Sequence, residues 1–297
     1  MLEPTETSYF SKPSVGLDPR LFRDGNLHGL VRSAILQLLF NHLNSKYTGG
    51  ESWSHVWLAG SGVSYQWAAH RDPGDLDCLI GIDYVRFRQS NTKFMGLSNQ
   101  EVASMLNEGF REELHPITDR FLDSFELTFY VNVRSNIADI KPYAAYSLTD
   151  DNWTVTPSMD TVQANPAWLN AIENDRLLAI DILSKYVAAK NKYEQASNDA
   201  IKANARSEMR MSMSQGSSLY SSIHNERSTA FSPSGEGYSD FANYRWQSGK
   251  QSGVIQSLRT LKAEMDAEDE ALNKSKYGVD LPDANTLIRR AATRHQY

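Results

Sequence analysis

Eight residues of the chain, "FELTFYVN" at 125–132, alternate apolar and polar without a break. On an extended backbone Phe125, Leu127, Phe129 and Val131 share one side, and Glu126, Thr128, Tyr130 and Asn132 share the other. A helix would scatter that pattern around its surface, so the segment predicts a strand in a half-buried sheet. A second run, "LDCLIGIDYV" from Leu76, is apolar enough to predict a strand covered on both faces. "HVWLAG" predicts a short strand that ends in glycine, and "GVSYQWAAH" after it fits a helix start. "YAAYSL" and "WTVTP" flank Thr149-Asp150-Asp151-Asn152 and predict a hairpin.

Helical signals surround these strands. "DGNLHGLVRSAILQLLFNHLNSKY" predicts an amphipathic helix capped by Asp24 or Asn26 and stopped by Gly49-Gly50. Ser98 followed by Glu101 is a capping-box signature, so a helix is expected to start there. From Pro166 the chain turns helical, most clearly in "AWLNAIENDRLLAIDILSKYVAAKNKY". "SEMRMSMSQGSSLYSS" is expected to be mobile or loosely packed on composition, and one further helix is expected over about 238–270. The chain thus predicts an α+β protein: a small mixed β-sheet domain with an N-terminal helix over 1–160, then an α-helical domain over 161–297. The boundary is soft, near 155–165, and no internal repeat is visible.

A chain of 297 residues that is 40% hydrophobic suffices for one large domain or two modest ones. No apolar run has the length of a membrane span, so no membrane partner is expected. The opening "MLEPTETSYFSKPSVG" has neither a basic start nor an apolar stretch, which predicts a cytosolic protein without a signal peptide. Cys78 is the single cysteine, which excludes an internal disulfide and a cysteine-based zinc site. The net charge of −6 argues against a non-specific grip on long nucleic acid. Local basic stretches remain at 185–210 and in "LIRRAATRH", while "KAEMDAEDEA" reads as a solvated helix face.

The chemistry concentrates between residues 56 and 133. On a strand Asp75 and Asp77 point to one side, with Leu76, Cys78 and Ile80 on the other. Two neighbouring carboxylates repel unless a cation or a proton relieves them, and a rigid carboxylate pair suits hard divalent cations such as Mg²⁺ or Mn²⁺. If the strand carrying Glu126 pairs alongside, a third carboxylate joins them, as a two-metal site needs. Gly60-Ser61-Gly62 lies between the first strand and the predicted helix. Its glycines would let backbone amides approach a phosphate, and Ser61 adds a hydroxyl.

The order Leu-Ala-Gly-Ser, a short helix, Asp-Leu-Asp before apolar residues, and an acid inside a later strand resembles the nucleotidyltransferase superfamily that includes DNA polymerase beta. The resemblance covers about a quarter of the chain. It implies that Gly60 and Ser61, with Gly62 in the same turn, hold the triphosphate of an NTP such as ATP. It also implies that Asp75, Asp77 and Glu126 bind two Mg²⁺ ions. The chain departs from the pattern in a longer gap before Asp75, so that "HRDPG" must loop out, and in a Glu where Asp is more usual. Asp123 and Asp139 are the alternatives for the third acid.

The expected reaction is attack of an acceptor hydroxyl on the NTP α-phosphate with release of pyrophosphate. The acceptor could be an RNA or tRNA end, a protein or a small molecule. The alternative is a non-catalytic nucleotide- or RNA-binding module on the same fold. His70 and Arg71 in the inserted loop could touch phosphate or acceptor, or be an exposed loop pair. In "SSIHNERSTAF", with His224 and Arg227, Arg227 could stabilise a phosphate or make a structural ion pair. Phe241, Tyr244 and Trp246 could stack a base, with Arg245 and Lys250 reaching phosphates; the other reading of these aromatics is core packing.

Overall fold

The structure, a computed structural model, describes residues 2, 4, 5, 7–67, 72–133 and 136–278, apart from the side chain of Tyr277. His70, Arg71 and "LIRRAATRH" lie outside the described residues. The chain is mixed α+β and divides into two compact units. One holds the described residues of Ser8–Thr161; the other holds those of Val162–Leu281 together with those of Met1–Thr7.

The first unit opens on a hairpin, β1 (Phe22–Arg23) and β2 (Asn26–Leu27), followed by α1 (Gly29–Lys46). The expected helix over 24–47 therefore starts later. Asp24 and Gly25 both adopt positive φ, 51° and 80°, which closes a two-residue hairpin turn rather than capping a helix. His28 stands at the helix N-cap with no side-chain cap bond. Then come α2 (Gly50–Trp53), β3 (Ser54–Ala59), β4 (Gly74–Ile82), α3 (Tyr84–Ser90), α4 (Asn99–Gly109), α5 (His115–Thr118), β5 (Phe125–Asn132), β6 (Ala145–Ser147) and β7 (Asn152–Val155). β6 and β7 form the expected hairpin, and Ser98 with Glu101 makes a complete capping box at α4.

Two expectations fail at the ends of β3 and β4. After Gly60 the described residues form only a 3₁₀ turn, Ser61–Val63. Ser64 ends it by donating its hydroxyl to the Ser61 carbonyl and accepting the Gln66 N–H, a local alternative to helix. β4 stops at Ile82 because Asp83 caps the next helix, accepting the Val85 and Arg86 N–H groups at 3.1 and 3.0 Å. β4 is also not covered evenly on both faces: Asp75, Asp77 and Leu79 are only half-buried, between fully buried neighbours.

The strands order as β5-β4-β3-β6-β7, with β4 and β5 parallel and the other neighbours antiparallel. One face is the core. Leu76, Cys78 and Ile80 of β4, with Leu127, Phe129 and Val131 of β5, cluster with Ile35, Leu39 and Leu43 of α1 and with Val102 and Leu106 of α4. Burying an apolar side chain of this size contributes about 1.5–3 kcal/mol, so this cluster fixes which way the strands face. On the other face Trp57, Ala59, Ile137 and Ala145 form a small apolar patch near the middle of the sheet. The N-terminal ends of β4 and β5 carry the polar residues.

The second unit comprises α6 (Pro166–Gln195), α7 (Asp199–Ala230), α8 (Phe241–Gln251) and α9 (Val254–Tyr277). The Ser/Met-rich segment is neither loose nor irregular: it lies inside α7, with Ser212, Met213 and Gly216 buried. A Cβ at Gly216 would lie 2.9 Å from Leu261 Cδ1, so the small residue is what lets α9 pack closely there. The single helix expected over 238–270 is two helices, because Gly253 adopts φ 82° between them.

Candidate functional site

The parallel ladder places Asp75 opposite Glu126 and Asp77 opposite Thr128, while the antiparallel ladder places Asp77 opposite Ala59, the last residue before Gly60. Paired residues in a ladder project to the same side. Asp75, Asp77, Glu126 and Thr128 therefore share the face opposite the core, at the end of the sheet where Gly60-Ser61-Gly62 leaves β3. Of the three acids considered for the third position, Glu126 is the one in register with Asp75. Asp123 sits in the turn before β5 at φ 58°, and Asp139 lies in a 3₁₀ turn, where it accepts a hydrogen bond from Asn136.

The glycine turn presses directly on these acids. Gly60 has φ 87° and ψ −161°, and a Cβ there would lie 3.0 Å from Asp77 Oδ2. A Cβ on Gly62 would lie 2.4 Å from the Asp75 carbonyl oxygen. Neither position has room for a side chain, so backbone lies against both carboxylate-bearing residues. Thr128 donates its hydroxyl to Asp77 Oδ1 at 3.3 Å and to the Leu76 carbonyl at 3.4 Å.

Two residues of this face were not singled out from the sequence. Tyr130, next but one to Thr128, is 45% exposed. Burial of its ring pushes its phenol above the ordinary value; the charge of Asp77, then of Asp75 and Glu126, pushes the same way, against a hydrogen bond from Thr128. The phenol thus feels all three carboxylates. The signal for Thr128 and Tyr130 lay in the alternation itself, which puts them on Glu126's side. Cys78 is fully buried, and that burial, with Asp77 adjacent, pushes its thiol up, so it is an apolar core position.

The donor set suits a hard divalent cation: every candidate ligand is an oxygen, from carboxylates and one hydroxyl. Among the described residues no group of three or more His, Cys, Asp and Glu side chains is drawn tightly enough to enclose a metal. Asp75, Asp77 and Glu126 share a face, on rungs two residues apart, without closing on a common point.

The remaining candidates lie in the helical unit. Lys250 is on α8, where its carbonyl accepts the Thr5 N–H. Arg245 grips Asp175 through Nε and Nη2 at 2.6 and 2.8 Å and Glu226 through Nη1 at 2.6 Å. Trp246 is buried between Tyr220 and His224, and Phe241 and Tyr244 pack on Trp168. Arg227 lies over Trp246 and Phe231. Trp246 is therefore a core position, while Phe241 and Tyr244 are half-buried against Trp168. The basic stretch at 185–210 is laced with acids: Lys185 pairs with Asp181, Lys192 with Glu208, and Arg210 with Asp269. In "KAEMDAEDEA" the exposed residues Ala263, Asp266, Ala267, Glu270 and Ala271 fall on one face of α9, the solvated face expected.

No helix among the described residues is long and apolar enough to cross a membrane. No family model matches the chain, and no curated protein or solved structure is significantly similar to it.

Proposed function

We propose that the chain is a divalent-metal-dependent nucleotidyltransferase that moves an NMP from an NTP to an acceptor hydroxyl. The observation that carries this reading is a single juxtaposition. Asp75 and Glu126 occupy one rung and Asp77 the next, on the open face of the sheet, with Gly60-Ser61-Gly62 packed against both aspartates. Separately, a glycine turn and an Asp-x-Asp strand are common; together they set phosphate-approaching backbone beside carboxylates.

In this reaction the acceptor oxygen forms a bond to the α-phosphorus, and the bond from that phosphorus to the β-bridging oxygen breaks. Pyrophosphate leaves with the bonding pair, and the acceptor proton passes to a carboxylate or to water. Asp75, Asp77 and Glu126 would hold the cations, which supply charge neutralisation on the phosphates and a lower pKa at the acceptor hydroxyl. Gly60 and Ser61 would take the triphosphate. Thr128, hydrogen-bonded to Asp77, holds that carboxylate's orientation. The acceptor remains one of three classes: an RNA end, a protein or a small molecule.

The test is incubation of the full chain with each α-labelled NTP, Mg²⁺ or Mn²⁺, and total RNA or lysate. Label should enter one acceptor class, and Asp77→Asn should reduce that transfer at least about 10²-fold, the scale on which loss of an electrostatic catalytic group acts. Nucleotide binding without any label transfer would mean a binding module. Full transfer by a folded Asp77→Asn would remove the site assignment.

A further inference from the structure

Beside the glycine turn lies a small open pocket whose walls include Ser61, Gly62, Asp75, Asp18 and Arg20. Arg20 has no counterpart among the residues picked out from the sequence, because it belongs to the loop before the β1–β2 hairpin. Its position is nevertheless tightly built. Asp18 is only 2% exposed and accepts the Arg20 backbone N–H at 2.9 Å, Nε at 3.0 and 3.1 Å, and Nη2 at 2.6 Å. The guanidinium carbon lies over the Phe125 ring at 4.5 Å and the Trp67 ring at 5.8 Å. Nη2 comes within 3.6 Å of where a Cβ on Gly74 would stand, one residue before Asp75.

These contacts use up most of the guanidinium. Its Nε and Nη2 side is committed to Asp18, and aromatic rings pack on it. Among the described residues no acceptor engages Nη1, although the side chain is 37% exposed. A guanidinium held in this way is suited to donate from one edge to an oxyanion, and ill suited to stack on a base. Ser61 and Ser8, each with a hydroxyl able to donate, are also on the pocket wall. Such donors would suit a phosphoryl group. The Phe125 and Gly74 contacts put Arg20 on the core side of the first rung, where it shares the pocket wall at the end of the sheet with Ser61, Gly62 and Asp75 of the proposed nucleotide site.

We propose that Arg20, pinned by Asp18, reads the terminal phosphates of the nucleoside triphosphate and so selects tri- over monophosphate. This rests on the nucleotidyltransferase reading. It makes Arg20 a specificity residue for the substrate's leaving group, supplied from outside the sheet.

The test is calorimetric titration of the full chain with ATP, AMP and inorganic pyrophosphate, each with Mg²⁺. Arg20→Lys is the informative variant, since a lysine ammonium can satisfy Asp18 but offers no second, fixed edge to a phosphate. ATP and pyrophosphate should bind about tenfold more weakly or worse, the scale of one charge-assisted hydrogen bond, with AMP unchanged. Thermal melting checks that the variant folds. If it does not, the double variant Asp18→Asn with Arg20→Gln keeps a neutral hydrogen-bonded pair and should show the same selective loss. Equal weakening of ATP and AMP, or no weakening, overturns the assignment while leaving nucleotide transfer standing. A wild-type chain that binds neither ATP nor pyrophosphate overturns both.

Discussion

Replacing Gly60 with alanine tests the turn without touching any charge. Its φ of 87° and ψ of −161° lie in a region open almost only to glycine, and forcing another residue there costs about 1–3 kcal/mol. The added methyl would also stand 3.0 Å from Asp77 Oδ2, closer than a relaxed carbon–oxygen contact, so the carboxylate or the turn must move. Together these effects give about 2–3 kcal/mol of destabilisation, or about 5–10 °C in the melting temperature of a unit this size. The assay is hydrogen exchange by mass spectrometry alongside thermal melting. Exchange localises the loss to peptides covering β3 and β4, which a global melt of two units would blur. Gly96→Ala is the control: nothing lies within 4 Å of its Cβ position and its φ is not positive, so it should be neutral or slightly stabilising. If Gly60→Ala melts within about 1 °C of wild type with unchanged exchange in β3 and β4, the close packing of turn on carboxylate is wrong.

Further outcomes follow from two other groups. Arg245→Ala should cost the helical unit about 3 kcal/mol, since it strands Asp175, only 16% exposed, without its bidentate partner; adding Asp175→Leu should recover most of that in thermal melts. The Tyr130 phenol is held above its ordinary value, so above about pH 10 the folded chain keeps a proton that the unfolded chain releases, and stability falls as pH rises through that window. Tyr130→Phe should remove that component of the alkaline loss in stability-versus-pH curves. With a ring-fluorinated tyrosine at position 130, whose phenol titrates lower, added Mg²⁺ should lower the midpoint further by neutralising the nearby carboxylates. An unmoved midpoint at saturating Mg²⁺ would place the cation elsewhere.

Much of the sheet was legible because its signals were periodic. The alternation at 125–132 set which side Glu126 faces, and the Asp-x-Asp spacing did the same for β4, so the ladder needed only to supply the register. Where composition replaced periodicity, the reading failed. Met209, Met213, Gly216, Tyr220 and Ile223 recur at helical spacing along α7, but the surrounding serines suggested a loose segment. Asp24-Gly25 is a hairpin signal that the apolar periodicity of α1 absorbed into a longer helix. Arg20 and Asp18 were invisible for a different reason: tertiary folding alone brings their loop to Gly74 and Phe125.

The rung that sets Asp75 beside Glu126 also polices how the sheet assembles. β4 and β5 are parallel and joined only through intervening helices, so no tight turn dictates their alignment. A slip of one residue would swing Glu126 into the slot now lined by Phe129 and Leu127, and burying an unpaired carboxylate there costs several kcal/mol. The acids thus act as proofreaders while the sheet forms, rejecting every odd-numbered misalignment.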